Sequence, residues 1–154
     1  MIDIIATEAA IESILNEVNL STAHKFKIIK YPGSLEELGK PLNCLQVVVR
    51  FKNISFQERS SEFMCKCYSQ VNTASWSLDF YSINPRDYHK IIELAEDVIR
   101  ATKNKKVGVL EAGDTINRVS PLYLSNFGFV SAENGFVYQF SSDISFQYTD
   151  RLFC

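Results

Sequence analysis

From Phe136 to Tyr148 the chain alternates with almost no lapse. Phe136, Tyr138, Phe140, Ser142, Ile144, Phe146 and Tyr148 share one parity, while Gln139, Ser141, Asp143, Ser145 and Gln147 share the other, with Val137 as the apolar exception. A period of two belongs to a β-strand, because successive side chains leave a strand on opposite faces. Ordinary strands run about five or six residues. A ribbon this long predicts either a bend within Ser141-Ser142-Asp143 or an extension beyond its own domain. Phe127 to Val130 reads as a strand leading into it, joined through Glu133-Asn134-Gly135 as a hairpin-type turn.

The rest of the chain supplies partners for such a ribbon. Ile4, Ile11, Leu15 and Val18, with Ile14 beside them, make a helical stripe. Glu8, Glu12 and Glu17 take its other side, Asp3 or Thr7 caps its start, and it ends between Asn19 and Thr22. Extended segments follow. His24 to Tyr31 sets Phe26 and Ile28 against Lys25 and Lys27 and is broken by Pro32-Gly33-Ser34. Leu45 to Phe51 carries Val48 on its polar face, which predicts cover on both sides. Phe63 to Gln70 forms another strand. After a break at Asn72-Thr73, Trp76, Leu78 and Phe80 oppose Ser75, Ser77 and Asp79.

A second helix opens at Asn84-Pro85, an N-cap followed by the residue that loses nothing at the first helical position. Asp87 meets the positive end of its dipole. Tyr88, Ile91, Ile92, Ala95, Val98 and Ile99 form its apolar stripe, which ends at the polar Thr102. Glu96 and Arg100 are spaced for an i,i+4 pair, and Lys103, Lys105 and Lys106 suit its C-terminal end. Val107 to Pro121 reads as an irregular stretch. The order helix, strands, helix, loop, hairpin predicts an α+β fold: a mostly antiparallel sheet, an N-terminal helix and one long amphipathic helix packed on it, in one domain over residues 1–154.

Composition bounds the function. The 154 residues are 46% hydrophobic and 22% charged, so the chain is neither disordered nor of low complexity. A chain this long buries roughly 68–70% of its unfolded surface, enough for a core without staples. Lys plus Arg is 16 against 18 Asp plus Glu, so the basic excess of a phosphate-gripping protein is missing. No apolar run approaches the roughly 18 residues of a membrane span, and the start lacks the basic region of a signal peptide. An intracellular, non-membrane setting is the expectation. Aromatic residues reach 12% and crowd the C-terminal half, in keeping with extended sheet.

Few residues suggest chemistry. The sequence has no Gly-rich phosphate loop, no Gly-x-Ser-x-Gly elbow and no His-Glu-x-x-His. Glu111 and Asp114 share a loop with Arg118, and paired carboxylates there could hold a cation or act as acid and base; a solvated contact loop is the plainer reading. His89 could serve as a base, although it sits beside the stripe as a half-exposed helix histidine. Cys65 and Cys67, two of the four cysteines with Cys44 and Cys154, face one side of a strand; His24 and His89 lie far off in sequence, so buried thiols outweigh a metal site. Trp76, with Tyr81 nearby, could stack a base, but its parity with Leu78 and Phe80 places it in the core. Lys25, Lys27 and Lys30 read as a weak basic edge or as guards against edge-to-edge pairing. No catalytic, cofactor-binding or metal residues are assigned. A small enzyme or ligand-binding module built on Glu111 and Asp114, on His89, or on Cys65 and Cys67 is the rival to a protein that works through its surfaces.

The order Trp76-Ser-Leu-Asp-Phe-Tyr81, then Asn84-Pro85 opening an amphipathic helix, then Arg118-Val-Ser-Pro-Leu-Tyr-Leu124, then a ribbon ending Phe146-Gln-Tyr148 resembles the phage neck and tail terminator proteins over about residues 42–149. The resemblance rests on order and spacing. Many relatives place a basic residue just before the last ribbon, where this chain has Glu133-Asn134. It implies a non-enzymatic virion component without cofactors: a homo-hexameric ring joining the tail tube to the head connector, meeting other neck and tail proteins (the sheath where one is present), with DNA passing through its central channel without sequence-specific binding. Assembly would take place in the host cytoplasm. Head-to-tail contacts between identical chains build such a ring, and β-ribbons supply them. Partner contacts are expected at Gly33 to Pro41, Gly108 to Pro121 and Gln57 to Glu62, segments that the core does not explain.

Overall fold

A computed structural model describes residues 2–30, 45–56, 60–62, 67–82, 84–111, 118–130 and 138–153. Helix α1 spans Ile4–Ser21 and α2 Tyr88–Thr102; the strands are β1 Phe26–Lys30, β2 Leu45–Phe56, β3 Ser60–Glu62, β4 Cys67–Ser82, β5 Arg118–Val119, β6 Tyr123–Val130 and β7 Tyr138–Phe153. They form one seven-stranded sheet in the order β1-β2-β4-β7-β5, with β3 also on β4 and β6 also on β7. Only β1 and β2 pair in parallel. The fold is α+β and mostly antiparallel.

The ribbon does not bend at Ser141-Ser142-Asp143. β7 pairs with β4 in unbroken register from Ser69↔Arg151 to Ser82↔Tyr138, and one residue is skipped beyond it, before Tyr68↔Phe153. Its length is matched by an equally long neighbour, since β4 runs through Asn72-Thr73 where the sequence predicts a break. Both residues there have a partner on each side: Phe56 and Tyr148 for Asn72, Ser55 and Gln147 for Thr73. Ladder pairing on two flanks overrides the turn preference of Asn. The same pairing carries β2 past Phe51 to Phe56, with a bulge between Phe51 and Asn53.

Both helices contribute to the core over the face that carries Trp76, Leu78, Phe80, Ile144 and Phe146. α1 buries Thr7, Ile11, Leu15 and Val18. Asp3 caps it, accepting from the Ala6 amide at 3.0 Å. Thr7 is not the cap. Its hydroxyl donates to the Asp3 carbonyl at 2.7 Å and accepts from the Val109 amide at 3.1 Å, so it ties the helix to the strap that follows α2. The strap is less irregular than the sequence predicts: Ile2 bridges Leu110, and β5 lies within it.

Asn84 caps a short 3-10 turn, Pro85–Asp87, which leads into α2. α2 buries Ile91, Leu94, Ala95, Val98 and Thr102. Its buried face ends at Thr102, the last residue of the helix, and includes it, because the hydroxyl returns to the Val98 carbonyl at 2.9 Å and so can be buried. Arg100 pairs with Asp97 at 3.6 Å, one turn back, in place of Glu96. Tyr88, at the start of the stripe, is exposed. The helices meet through Thr22 Oγ1, which donates to Asp97 Oδ2 at 3.0 Å, and through His24 on Glu93.

The second face is buried as well. Val48 is fully covered, as its place on the polar parity predicts, and Gln46, Ser77, Asp79 and Tyr81 are buried beside it. The hairpin turn Glu133-Asn134-Gly135, the segment Gly33 to Pro41, and Cys44, Cys65 and Cys154 lie outside the described residues. Among the described residues, no helix is long and apolar enough to cross a membrane.

Candidate functional site

The sheet runs wider than the helices that cover it. Rows of paired residues cross it from edge to edge, and one row on the helix face reads Phe129↔Phe140↔Phe80↔Val47↔Ile28. Its interior stations, Phe140, Phe80 and Val47, are buried, while Phe129 at the β6 end is 62% exposed. The aromatic cluster there is well formed. Phe127 stacks on Phe140 at 5.4 Å between centroids, Phe129 meets the same ring edge-on at 5.7 Å, and Tyr88 tilts against it at 6.0 Å. α2 begins only at Tyr88, so the outer side of this cluster faces solvent.

β6 is longer than predicted, starting at Tyr123 and not at Phe127. It carries the irregularity that the sequence predicts within the ribbon. Its register slips between Ser125 and Phe127, and Asn126 takes φ 54°. Asn is among the few side chains that tolerate the left-handed region, so it accommodates the bulge. The slip turns Leu124 and Phe127 toward the same face, opposite Ile144 and Ser142. Without it, Phe127 and Phe129 would point away from the helices.

Among the described strands, β6 pairs with β7 alone, so no described strand covers its outer backbone edge. Seven of its eight residues are exposed, among them Tyr123, Phe127, Phe129 and Val130. The strand Tyr-Leu-Ser-Asn-Phe-Gly-Phe-Val contains no charge and no proline, the usual guards of an edge. Sequence reasoning missed this edge because it began the strand too late. The missing charges were the available signal.

The residues proposed for chemistry are not gathered. His89 is exposed in the first turn of α2, its ring edge-on to Tyr88. Glu111 is exposed just past the Ile2–Leu110 bridge. Asp114 and the side chains of Cys67 and Arg118 lie outside what is described. Trp76 is core: it is fully buried between Phe51 and Phe146, with its indole NH donating to Glu8. Among the described residues no three His, Cys, Asp or Glu side chains are placed to hold a metal ion.

A polar cluster that sequence reasoning did not single out occupies the second face. Ser77 and Ser141 each donate to Asp79 Oδ1 at 2.7 Å, and the Arg50 guanidinium lies 3.6 Å from Asp79 Oδ2. Lys52 donates to Asp143 at 3.0 Å nearby. Hydroxyls and an opposite charge satisfy the buried carboxylate, which suits a structural anchor. A shallow apolar groove of about 340 Å³ lies between the end of α2 and β6, lined by Ile99, Lys103, Asn104, Leu122, Tyr123 and Leu124. Glu111 and His89 do not line it. No protein-family model matches the sequence, and no curated protein matches it significantly.

Proposed function

We propose that this chain is a structural subunit of a phage head–tail junction, a neck or tail terminator that assembles into a ring around a DNA channel. The observation that carries the reading is the uncharged edge of β6, which no described strand covers, with its exposed aromatic residues. An unpaired edge of this length is a template for another strand, and a ring of identical subunits needs such heterologous contacts. The order of elements supports the resemblance: Trp76–Tyr81 within a long strand, Asn84-Pro85 opening a helix, Leu122 to Leu124 entering an edge strand, and the ribbon through Tyr148. Six copies, the head connector and the tail tube as neighbours, and a place in the virion follow from the family resembled. DNA would pass without being gripped, in keeping with a formal charge of −2.

The test is electron microscopy of the purified chain, alone and mixed with polymerised tail-tube protein encoded in the same genome. Annuli with a central hole, or caps confined to tube ends, are the expected result. Tubes left bare in a mixture where the chain stays a free globule would overturn the reading.

A further inference from the structure

The helix layer leaves a lane on the sheet. α2 packs over β4, and β6 lies two strands further out, beyond β7. Strands are spaced about 4.8 Å apart and packed helices about 8–10 Å, so β6 sits where the axis of a next helix would fall. The two flanks of α2 differ. One is taken up by the α1 side, through Asp97 on Thr22 and Glu93 on His24. The other looks along the sheet to β6: Tyr88 tilts against Phe140 at its start, and Ile99 and Lys103 line the groove with Leu124 at its end. A helix rises about 1.5 Å per residue, so the lane from Tyr88 to Lys103 is about 22 Å long.

The walls of the lane are apolar. Leu124, Phe127 and Phe129 stand on the helix face of β6, and the two Phe rings keep 38% and 62% of their surface exposed. Across from them Ile92 and Ile99 are only partly buried, with the exposed Glu96 between them along α2. Charge gathers at one end. Lys103, Lys105 and Lys106 are exposed, and Lys105 lies beside Leu122, whose amide donates to its carbonyl at 2.7 Å. Lys52, Lys90 and Arg100 each have a carboxylate within reach, whereas no ion pair among the described residues involves these three lysines. Their charge is therefore unanswered in a chain whose formal charge is −2. The dipole of α2 favours cations at this end, but it leaves the apolar wall beside them uncovered.

We infer that this lane docks an amphipathic helix of another protein, antiparallel to α2, with its apolar stripe on Leu124, Phe127, Phe129 and Ile99 and acidic residues of its first turn over Lys103, Lys105 and Lys106. The length, width and lining of the lane suit a helix of about four turns held by one apolar face. Charge sets its direction, because acidic side chains belong at a helix N-terminus and that end must meet the three lysines. Neither described helix of this chain has an acidic first turn, and both bury their stripes in the core, so the occupant is a different protein and not a second copy. The inference uses the face of β6 where the ring reading uses its edge, so each can fail without the other.

The experiment is fluorescence anisotropy of the full chain with two labelled peptides of about sixteen residues, stapled as helices. They share one leucine stripe and differ only in the first turn, three glutamates in one and three lysines in the other. The acidic peptide should bind about tenfold tighter, the sum of three exposed ion pairs. The variant carrying K103E, K105E and K106E should reverse that preference. F129S, at a residue exposed enough to spare the core, should weaken both peptides, with thermal melts to check folding. Neither peptide binding at about 1 mM would overturn the inference. So would equal binding of the two, or a preference that survives the lysine reversal. Self-association of the parent in sedimentation velocity, abolished by F129S, would give the lane to a second copy and overturn it as well. Capping of tail tubes, assayed separately, reports on the ring reading alone.

Discussion

The indole NH of Trp76 donates to the carboxylate of Glu8 across 3.2 Å, joining the centre of β4 to the second turn of α1. Trp76 has no exposed surface, so its donor has no recourse to water. Glu8→Ala should therefore cost about 1–3 kcal/mol through the stranded NH, and Glu8→Gln, which keeps an acceptor, should cost less than half of that. Urea unfolding followed by tryptophan fluorescence measures both. Equal losses for Ala and Gln would show that the charge and not the hydrogen bond holds the helix.

Asp79 is the hub of the second face, taking both Ser77 and Ser141 hydroxyls on one oxygen. Removing it takes the shared acceptor from Ser77 and Ser141 and one charge partner from Arg50. Asp79→Ala should destabilise by about 1–3 kcal/mol, chiefly through the lost acceptor of the Ser77 and Ser141 hydroxyls, because Arg50 is half exposed and can turn to water. Asp79→Asn keeps an acceptor for the hydroxyls and should retain a clear part of that stability. The midpoints of chemical denaturation order the variants, and Asn behaving as badly as Ala would assign the network to charge alone.

Gly108 lies where the strap passes under β5 and β7. A Cβ there would sit 2.5 Å from Val119 Cγ1 and 2.8 Å from a Phe146 ring carbon. Neither neighbour can withdraw easily, because Phe146 is fully buried against Trp76. Gly108→Ala should cost about 1–3 kcal/mol by overpacking, although alanine ordinarily lowers the entropy of the unfolded chain. Gly128, with nothing within 4 Å of the same position, is the control. Gly128→Ala should leave the thermal midpoint within a degree or so of the parent.

Much of this fold was legible because its strongest signals are periodic. The parity of Trp76, Leu78 and Phe80 and the parity of the ribbon each reflect burial on one face and appear as predicted, and Asn84-Pro85 opens the 3-10 turn that leads into the helix. What escaped was set by neighbours. Asn72-Thr73 reads as a turn until Phe56 and Tyr148 are seen on either side of Asn72. Thr102 reads as polar and outside the apolar stripe, yet its hydroxyl finds the carbonyl of Val98 and the residue is buried. Ser77 and Asp79 read only as the polar side opposite Trp76, Leu78 and Phe80, because alternation reports polarity and cannot report that Arg50 and Ser141 are brought alongside. The edge of β6 was half visible in its uncharged sequence, but the Asn126 bulge that aims Phe127 and Phe129 depends on the pairing with β7.

Ser142 breaks the apolar parity of the ribbon, and its position gives a prediction of opposite sign to the others. It is opposite Leu78 on one side and Phe127 on the other, on the helix face. The residue is 2% exposed, and its hydroxyl oxygen is buried with no hydrogen-bond partner. Burying an unsatisfied hydroxyl is unfavourable by about 1–3 kcal/mol, whereas an alanine methyl occupies nearly the same space without a desolvation penalty. Ser142→Ala should therefore raise stability by about 1 kcal/mol and move the urea midpoint upward. Ser142→Val adds two carbons beside Phe127 and Leu78 and should lose that gain to crowding. If alanine instead lowers the midpoint, the Ser142 hydroxyl is hydrogen-bonded in solution, and a buried water is the simplest partner.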